Sequence, residues 1–262
     1  LLDKTYELNK KYFSQADEVK KEHVSKDFFS QRGFTPFGIE HAKDSNKVDL
    51  KEFYHVGREL APDSQYQGVY PPNIFPGEEY KKVWLEIYNE LDCVSRILLE
   101  ALTYSLKVEK DYFYNMVDDG NSILRILHYP PIPEGADPEC VRAAAHEDIN
   151  LITILVSASA SGLELLDRDG KWLKIESEEN DLIVDAGDML SRITNEVIPA
   201  TTHRVVNPQD GKNTDRYSMP FFVHPHAKAE LKCIESCKGD GAKYEDISAQ
   251  EFLAVSYTHL TL

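Results

Sequence analysis

The 262-residue sequence is short of several features, and each shortage narrows its function. No run of apolar residues approaches the roughly 20 that a membrane-crossing helix requires, so a membrane partner is not expected. Basic residues are the minority, 29 Lys and Arg against 45 Asp and Glu, for a net charge of −16. No Lys/Arg cluster offers the positive face that binding a nucleic-acid backbone needs, and the excess of carboxylates repels anionic polymers and lipids. Cysteine is scarce: Cys93, Cys140, Cys233 and Cys237 form no CxxC pair. They read as free thiols in a reducing compartment, which places the protein in the cytoplasm. Repeats, low-complexity tracts and a recognisable linker are all missing, as is an initiator Met. The chain opens inside an amphipathic helix, Leu1 to Lys21, so a preceding targeting segment is left open.

What is present argues for a packed globular core. Hydrophobic residues make up 42% of the chain and aromatics 10%, too many for a disordered polymer. The chain divides by texture. Helical apolar spacing with many charges extends to about Lys26. A turn-rich, aromatic excursion follows from Phe28 to Pro76. Pro76-Gly77-Glu78-Glu79 then opens a long helix with an acidic first turn and apolar recurrence from Val83 to Leu106, and a short helix is expected over Asp111 to Val117.

From Ser122 short β-rich runs alternate with turn signals such as Asp167-Arg168-Asp169-Gly170. Strands are expected at Ile123–Tyr129, Ala143–Ile149, Leu151–Val156, Leu163–Leu166, Trp172–Ile175, Leu182–Ala186, Met189–Thr194, Thr201–Val206 and Tyr217–His224. Many short strands at even spacing argue for a barrel or sandwich. The fold class is therefore α+β with a mainly β core. Residues 1–121 form a helical and loop region and residues 122–254 the β core, together one unit. Val255-Ser-Tyr-Thr-His-Leu260 matches one reading frame of a common sequencing adapter, so residues 255–262 are read as a non-native tail and set aside.

The chemistry concentrates in the β half. In His146-Glu147-Asp148 a strand conformation puts His146 and Asp148 on one face and Glu147 on the other. His203, in Thr201-Thr202-His203-Arg204, can supply a third ligand from another strand. Two imidazoles and one carboxylate make the facial triad of non-haem iron(II) oxygenases, which leaves three coordination positions open. Two of these suit a chelating co-substrate and one dioxygen. Arg216 and Ser218 share a face of a later strand, and an Arg fork with a neighbouring hydroxyl suits a carboxylate such as the distal one of 2-oxoglutarate. The residues alone leave two other readings open: a cupin-like metal enzyme without redox chemistry, and a jelly-roll binding module with structural histidines. His224-Pro225-His226 reads as a loop beyond the last core strand.

These stretches resemble the isopenicillin N synthase-like branch of the iron(II)/2-oxoglutarate-dependent dioxygenases. Besides the triad and Arg216-Tyr217-Ser218, the similar segments are Leu127-His128-Tyr129-Pro130-Pro131, Ser161-Gly162-Leu163-Glu164-Leu165, Asp185-Ala186-Gly187-Asp188 and, upstream, Arg32-Gly33-Phe34-Thr35-Pro36 and Asp49-Leu50-Lys51-Glu52-Phe53. The resemblance implies a double-stranded β-helix, or jelly roll, with the N-terminal helices packed outside. It implies Fe(II) at His146, Asp148 and His203, and 2-oxoglutarate at Arg216, Ser218 and Tyr129, with dioxygen as the oxidant. Leu127 departs from the pattern, since many plant members carry Asn there. The expected activity is hydroxylation, desaturation or cyclisation of a small molecule by a monomer. Relatives in the same branch that do not use 2-oxoglutarate remain an alternative.

Overall fold

The computed structural model describes residues 1–25, 31–41, 47–156, 158–178, 181–208 and 211–260, with side chains through residue 256. The parts of the N-terminal helix and of the Phe28–Pro76 excursion at residues 26–30 and 42–46, and the tail residues 261–262, lie outside the described residues.

Eight strands build the core: β3 (Ile123–Tyr129), β4 (Ala143–His146), β5 (Ile152–Val156), β6 (Leu163–Leu166), β7 (Trp172–Lys174), β8 (Leu182–Ala186), β9 (His203–Val205) and β10 (Arg216–Val223). The chain passes back and forth between two antiparallel sheets. One holds β3-β10-β5-β8 and the other β4-β9-β6-β7, which is the double-stranded β-helix. The first sheet is widened by β2 (Glu52–Gly57), paired with β3, and β1 (Gly33–Thr35), paired with β2. The N-terminal region read as helix and loop thus also contributes two strands. All six residues of β2 are buried, because strands covered on both faces lose the polar–apolar alternation that marks a half-exposed strand.

Helices cover the outer face of the larger sheet. The long predicted helix is α3 (Glu78–Leu106), with Glu78 and Glu79 in its first turn and Lys107 ending it in a left-handed conformation (φ 54°). Its buried residues, among them Tyr80, Val83, Trp84, Ile87, Tyr88, Leu91 and Leu99, recur at three- and four-residue spacing and so form one stripe. The first predicted helix is broken into α1 (Leu2–Phe13) and α2 (Asp17–Lys21). Asn9 of α1 joins helix to sheet: it accepts from the Trp84 indole at 2.9 Å and donates to the Met219 sulfur at 3.2 Å. Tyr88 packs edge-on against Phe221, and Phe13 lies against Tyr217. Along β10, then, Tyr217, Met219 and Phe221 face the helices, and the period of two turns Arg216, Ser218 and Phe222 into the barrel. Each such fully buried apolar side chain contributes about 1.5–3 kcal/mol.

The short helix α4 (Tyr112–Val117) lies where it was expected. Met189–Thr194 does not form the predicted strand. It is mostly the helix α5 (Asp188–Ile193), with Met189, Leu190 and Ile193 buried; that spacing is a helical face, whereas a strand would have grouped Met189, Ser191 and Ile193. Beyond β10, a two-stranded sheet of β11 (Glu230–Leu231) and β12 (Ile247–Ser248) leads into α6 (Ala249–Leu260), which continues across the stretch set aside as a tail.

Candidate active site

β4 and β9 bring two of the predicted ligands together. His146 and His203 are direct partners in that pair, next to an irregularity in register between Ala143 and His146. The strand predicted over Ala143–Ile149 stops at His146, so Asp148 reaches the same place from the turn that follows rather than from strand alternation. Gly187 makes that turn possible. A Cβ there would come within 2.4 Å of both the carbonyl and the side-chain oxygen of Asn150 and within 2.8 Å of the Asp148 carbonyl. The Asp188 amide donates to that Asp148 carbonyl at 2.8 Å, so the start of α5 pins the ligand's backbone.

One ligand atom from each of His146, Asp148 and His203 lies within 4.8 Å of the others. The remaining atoms of each side chain are engaged elsewhere. His146 Nδ1 donates to the Ala144 carbonyl at 2.7 Å and His203 Nδ1 to the Thr201 carbonyl at 3.0 Å. Both tautomers are thereby fixed with an Nε2 lone pair available. Asp148 Oδ2 accepts from the Thr153 hydroxyl at 2.5 Å, while Oδ1 stands 3.9 Å from His146 Nε2. Nothing in the sequence motif pointed to Thr153, whose role depends on β5 running beside the turn. The donor set of two neutral imidazoles and one carboxylate fits Fe(II).

Electrostatics agree with a site arranged for a cation. Burial pushes His146 down to about 4, with the charge of His203 adding to the effect. Burial works to raise Asp148, but His203, His146 and the Thr153 hydroxyl outweigh it and keep its carboxyl below the usual range. Asp185 on β8 lies behind, with Oδ2 3.7 Å from His203 Nδ1. Burial and the Asp148 charge lift it to about 7.

The residues expected to hold an anion also come together. Arg216 is 1% exposed and is the cross-strand partner of Tyr129. Its guanidinium lies 5.0 Å from the Tyr129 ring centre, donates from Nε to the Ala160 carbonyl at 3.1 Å and from one terminal nitrogen to Ser218 Oγ at 3.2 Å. Burial lowers its pKa, and among the described residues no carboxylate pairs with it. A buried guanidinium without a counter-charge is costly, so this cradle calls for an anion.

In front of the triad opens a cavity of about 590 Å³. Its wall includes residues that the sequence did not single out individually: Glu40, Lys51, His55, Arg125 and His224. Burial drives His224 down to about 4. It directly follows β10, in the loop expected beyond the last core strand, and is only 7% exposed.

Fold and site together describe an iron-dependent oxygenase of the jelly-roll type, and comparison with known proteins agrees. Residues 120–225 match the model of the 2OG-Fe(II) oxygenase superfamily, and residues 1–78 that of the N-terminal region of non-haem dioxygenases in morphine synthesis. A 2OG-Fe(II) oxygenase family protein from Caulobacter crescentus is 41% identical in its crystal structure, with a TM-score of 0.89 over 99% of this chain and 86% of that one. A full-length Neurospora crassa protein crystallised in complex with alpha-KG is 27% identical, with a TM-score of 0.85 over 97% and 81% of the two chains. A 2-oxoglutarate-Fe(II) type oxidoreductase of Emericella nidulans is 28% identical over 80% of this chain, which spans 63% of that relative's length. The chain belongs to the 2OG-Fe(II) oxygenase superfamily.

Proposed function

We propose that this chain is a non-haem Fe(II) oxygenase that couples oxidative decarboxylation of 2-oxoglutarate to hydroxylation, desaturation or cyclisation of a small organic molecule. The observation that carries the reading is the convergence of His146, Asp148 and His203 within 4.8 Å, with both imidazoles turned by backbone carbonyls. These three residues hold the iron, which when bound supplies the activation of dioxygen.

The protein's own part is positioning and the exclusion of water. Thr153 fixes which Asp148 oxygen faces the metal. Arg216 and Ser218, with the Tyr129 ring against the guanidinium, take the distal carboxylate of 2-oxoglutarate and so set the direction from which its other end approaches. The apolar walls of Ile123, Ile149 and Phe222 keep the reacting part of the substrate out of bulk water. Regions 1–121 and 122–254 act as one unit in this reading, because β2, carrying Lys51 and His55 on or beside it, pairs directly with β3. Among the described residues no helix is long and apolar enough to cross a membrane. Cys93, Cys140, Cys233 and Cys237 are all free thiols, which supports a reducing, cytoplasmic setting; a monomer is the form that goes with this reading.

The test is optical. Fe(II) is added without oxygen, then 2-oxoglutarate, and a weak visible charge-transfer band of the chelated complex is sought in the wild type and in His146→Ala. A band that is lost in the variant is the expected result. Iron binding with no band would point instead to an oxidase that does not use 2-oxoglutarate, and failure to bind iron would overturn the reading.

A further inference from the structure

The cavity in front of the triad contains a closed set of charges. Lys51 Nζ lies 2.7 Å from Glu40 Oε2 and 2.7 Å from Asp49 Oδ2. Arg125 reaches the same Glu40 with both terminal nitrogens, at 3.2 and 3.1 Å. Two cations thus face two carboxylates, and the set carries no net charge. Burial opposes the ionised Glu40, yet Arg125 and Lys51 outweigh it and hold the carboxyl far below its usual range.

Arg125 is further fixed by its cross-strand partner His55. Its Nε donates to His55 Nε2 at 2.7 Å; as a guanidinium has no acceptor, this makes His55 a neutral ring with its proton on Nδ1. The guanidinium carbon sits 4.2 Å from the centre of the Phe53 ring and 5.2 Å from that of Phe222. Among the described residues, three of the five N–H groups of Arg125 are engaged in this way. The other two, one on each terminal nitrogen, are donors on a charge that Glu40 has already neutralised, beside the apolar wall of Phe222.

Such donors suit a neutral acceptor. A carbonyl oxygen can take them with little desolvation cost. A carboxylate would have to enter beside Glu40, Asp49, Asp148 and the co-substrate's own negative charges, and an ammonium, having no acceptor, cannot take the Arg125 donors at all. Resting on the reading of this cavity as the place where substrate meets the metal, we infer that the enzyme selects an uncharged substrate bearing a carbonyl oxygen, held by Arg125, and that Glu40 sets this selectivity.

A matched trio of equal size tests the inference: benzamide, benzoate and benzylamine, titrated calorimetrically into the full chain, both free of iron and anaerobically loaded with Fe(II) and 2-oxoglutarate. Benzamide is expected to bind at least about tenfold more tightly than either charged analogue. Equal or tighter binding of a charged analogue would overturn the inference, as would no benzamide binding up to about 10 mM. Glu40→Gln leaves an excess cation in the set and is expected to shift the benzoate-to-benzamide ratio upward by about tenfold or more. Lys51→Met leaves an excess anion and shifts the benzylamine-to-benzamide ratio instead, so one variant that folds is enough; a folded variant whose ratios do not move sinks the proposal. The iron-free titration keeps the two readings apart. Neutral selectivity without a charge-transfer band would remove the oxygenase reading alone, and the band without neutral selectivity would remove this inference alone.

Discussion

The rings of His146 and His203 lie 4.4 Å apart between centres, as direct partners across β4 and β9. In an ordinary β-pair two imidazoles so close would repel once protonated. Here each is turned so that Nδ1 meets a backbone carbonyl, which leaves the two Nε2 atoms able to share one cation with Asp148.

Asp148→Ala removes the only anionic ligand of the three. Iron affinity is expected to fall further than the ~10–100-fold that loss of an outer hydrogen-bond partner causes, and turnover of 2-oxoglutarate to vanish. The far-ultraviolet circular dichroism should not change. Anaerobic Fe(II) titration and succinate release measure the two effects, and unaltered turnover would remove Asp148 from the site.

Thr153→Val separates orientation from ligation. The carboxylate stays, but its 2.5 Å hydrogen bond is lost, and Oδ2 becomes free to rotate toward the metal. A loss of ~10–100-fold in iron affinity is the expected outcome, with a thermal melt showing only a small change. Wild-type affinity in this variant would show that Asp148 is held by the α5 turn alone.

Arg216→Ala is expected to weaken 2-oxoglutarate binding by about 2–5 kcal/mol, the range for deleting one partner of a buried charge pair. Iron binding without co-substrate should be unaffected. The measurement is the concentration dependence of the charge-transfer band; normal saturation would disprove the carboxylate assignment.

The acid limb of stability has a definite sign. His224 and His146 sit near 4 in the folded chain, against about 6.5 when unfolded. Between those values the unfolded chain binds more protons, so stability rises with pH across the window and is lost as pH falls through it. Asp185, lifted to about 7, works the other way: its contribution is complete below about 4 and fades as pH rises through 7. The metal-free chain should therefore melt at progressively lower temperature from about pH 6.5 toward 4, and His224→Asn should flatten that slope. A slope unchanged in the variant would mean that His224 is protonated in the fold.

Trp84→Ala tests the helix-to-sheet contact. Trp84 is fully buried and donates to Asn9, so truncation is expected to cost about 3–5 kcal/mol. Chemical denaturation reads the loss; a cost below about 1 kcal/mol would mean that α3 contributes little to the fold.

The grouping of His146, Asp148 and His203 was legible in the sequence because its signals are local. His146 and Asp148 are two residues apart, His203 lies in a short β-rich run, and Arg216 and Ser218 repeat the spacing of two. The strand positions of β3, β6, β8 and β10 were legible for the same reason. Glu40, Lys51, His55 and Arg125 were not, since they come from three separated segments that meet only when β2 pairs with β3, a long-range event with no sequence periodicity of its own. Met189–Thr194 was misread because a six-residue stretch with only Met189, Leu190 and Ile193 as apolar positions is too short to choose between periods of two and 3.6. The uninterrupted burial of β2 hid it in what looked like an aromatic loop.

The three ligands are not anchored alike. His146 and His203 belong to the β4-β9-β6-β7 sheet, whereas Asp148 is tied through Thr153 to β5 of the other sheet. A bound ion is consequently a rivet through both layers at one mouth of the barrel. Without it the Asp148–Thr153 hydrogen bond still joins the layers but the ion's cross-link is missing, and the amides of β4 and β9 should exchange with solvent ahead of those of β3 and β10. Loading the metal would slow exchange on both sheets at once, a mechanical consequence of where the carboxylate is fastened.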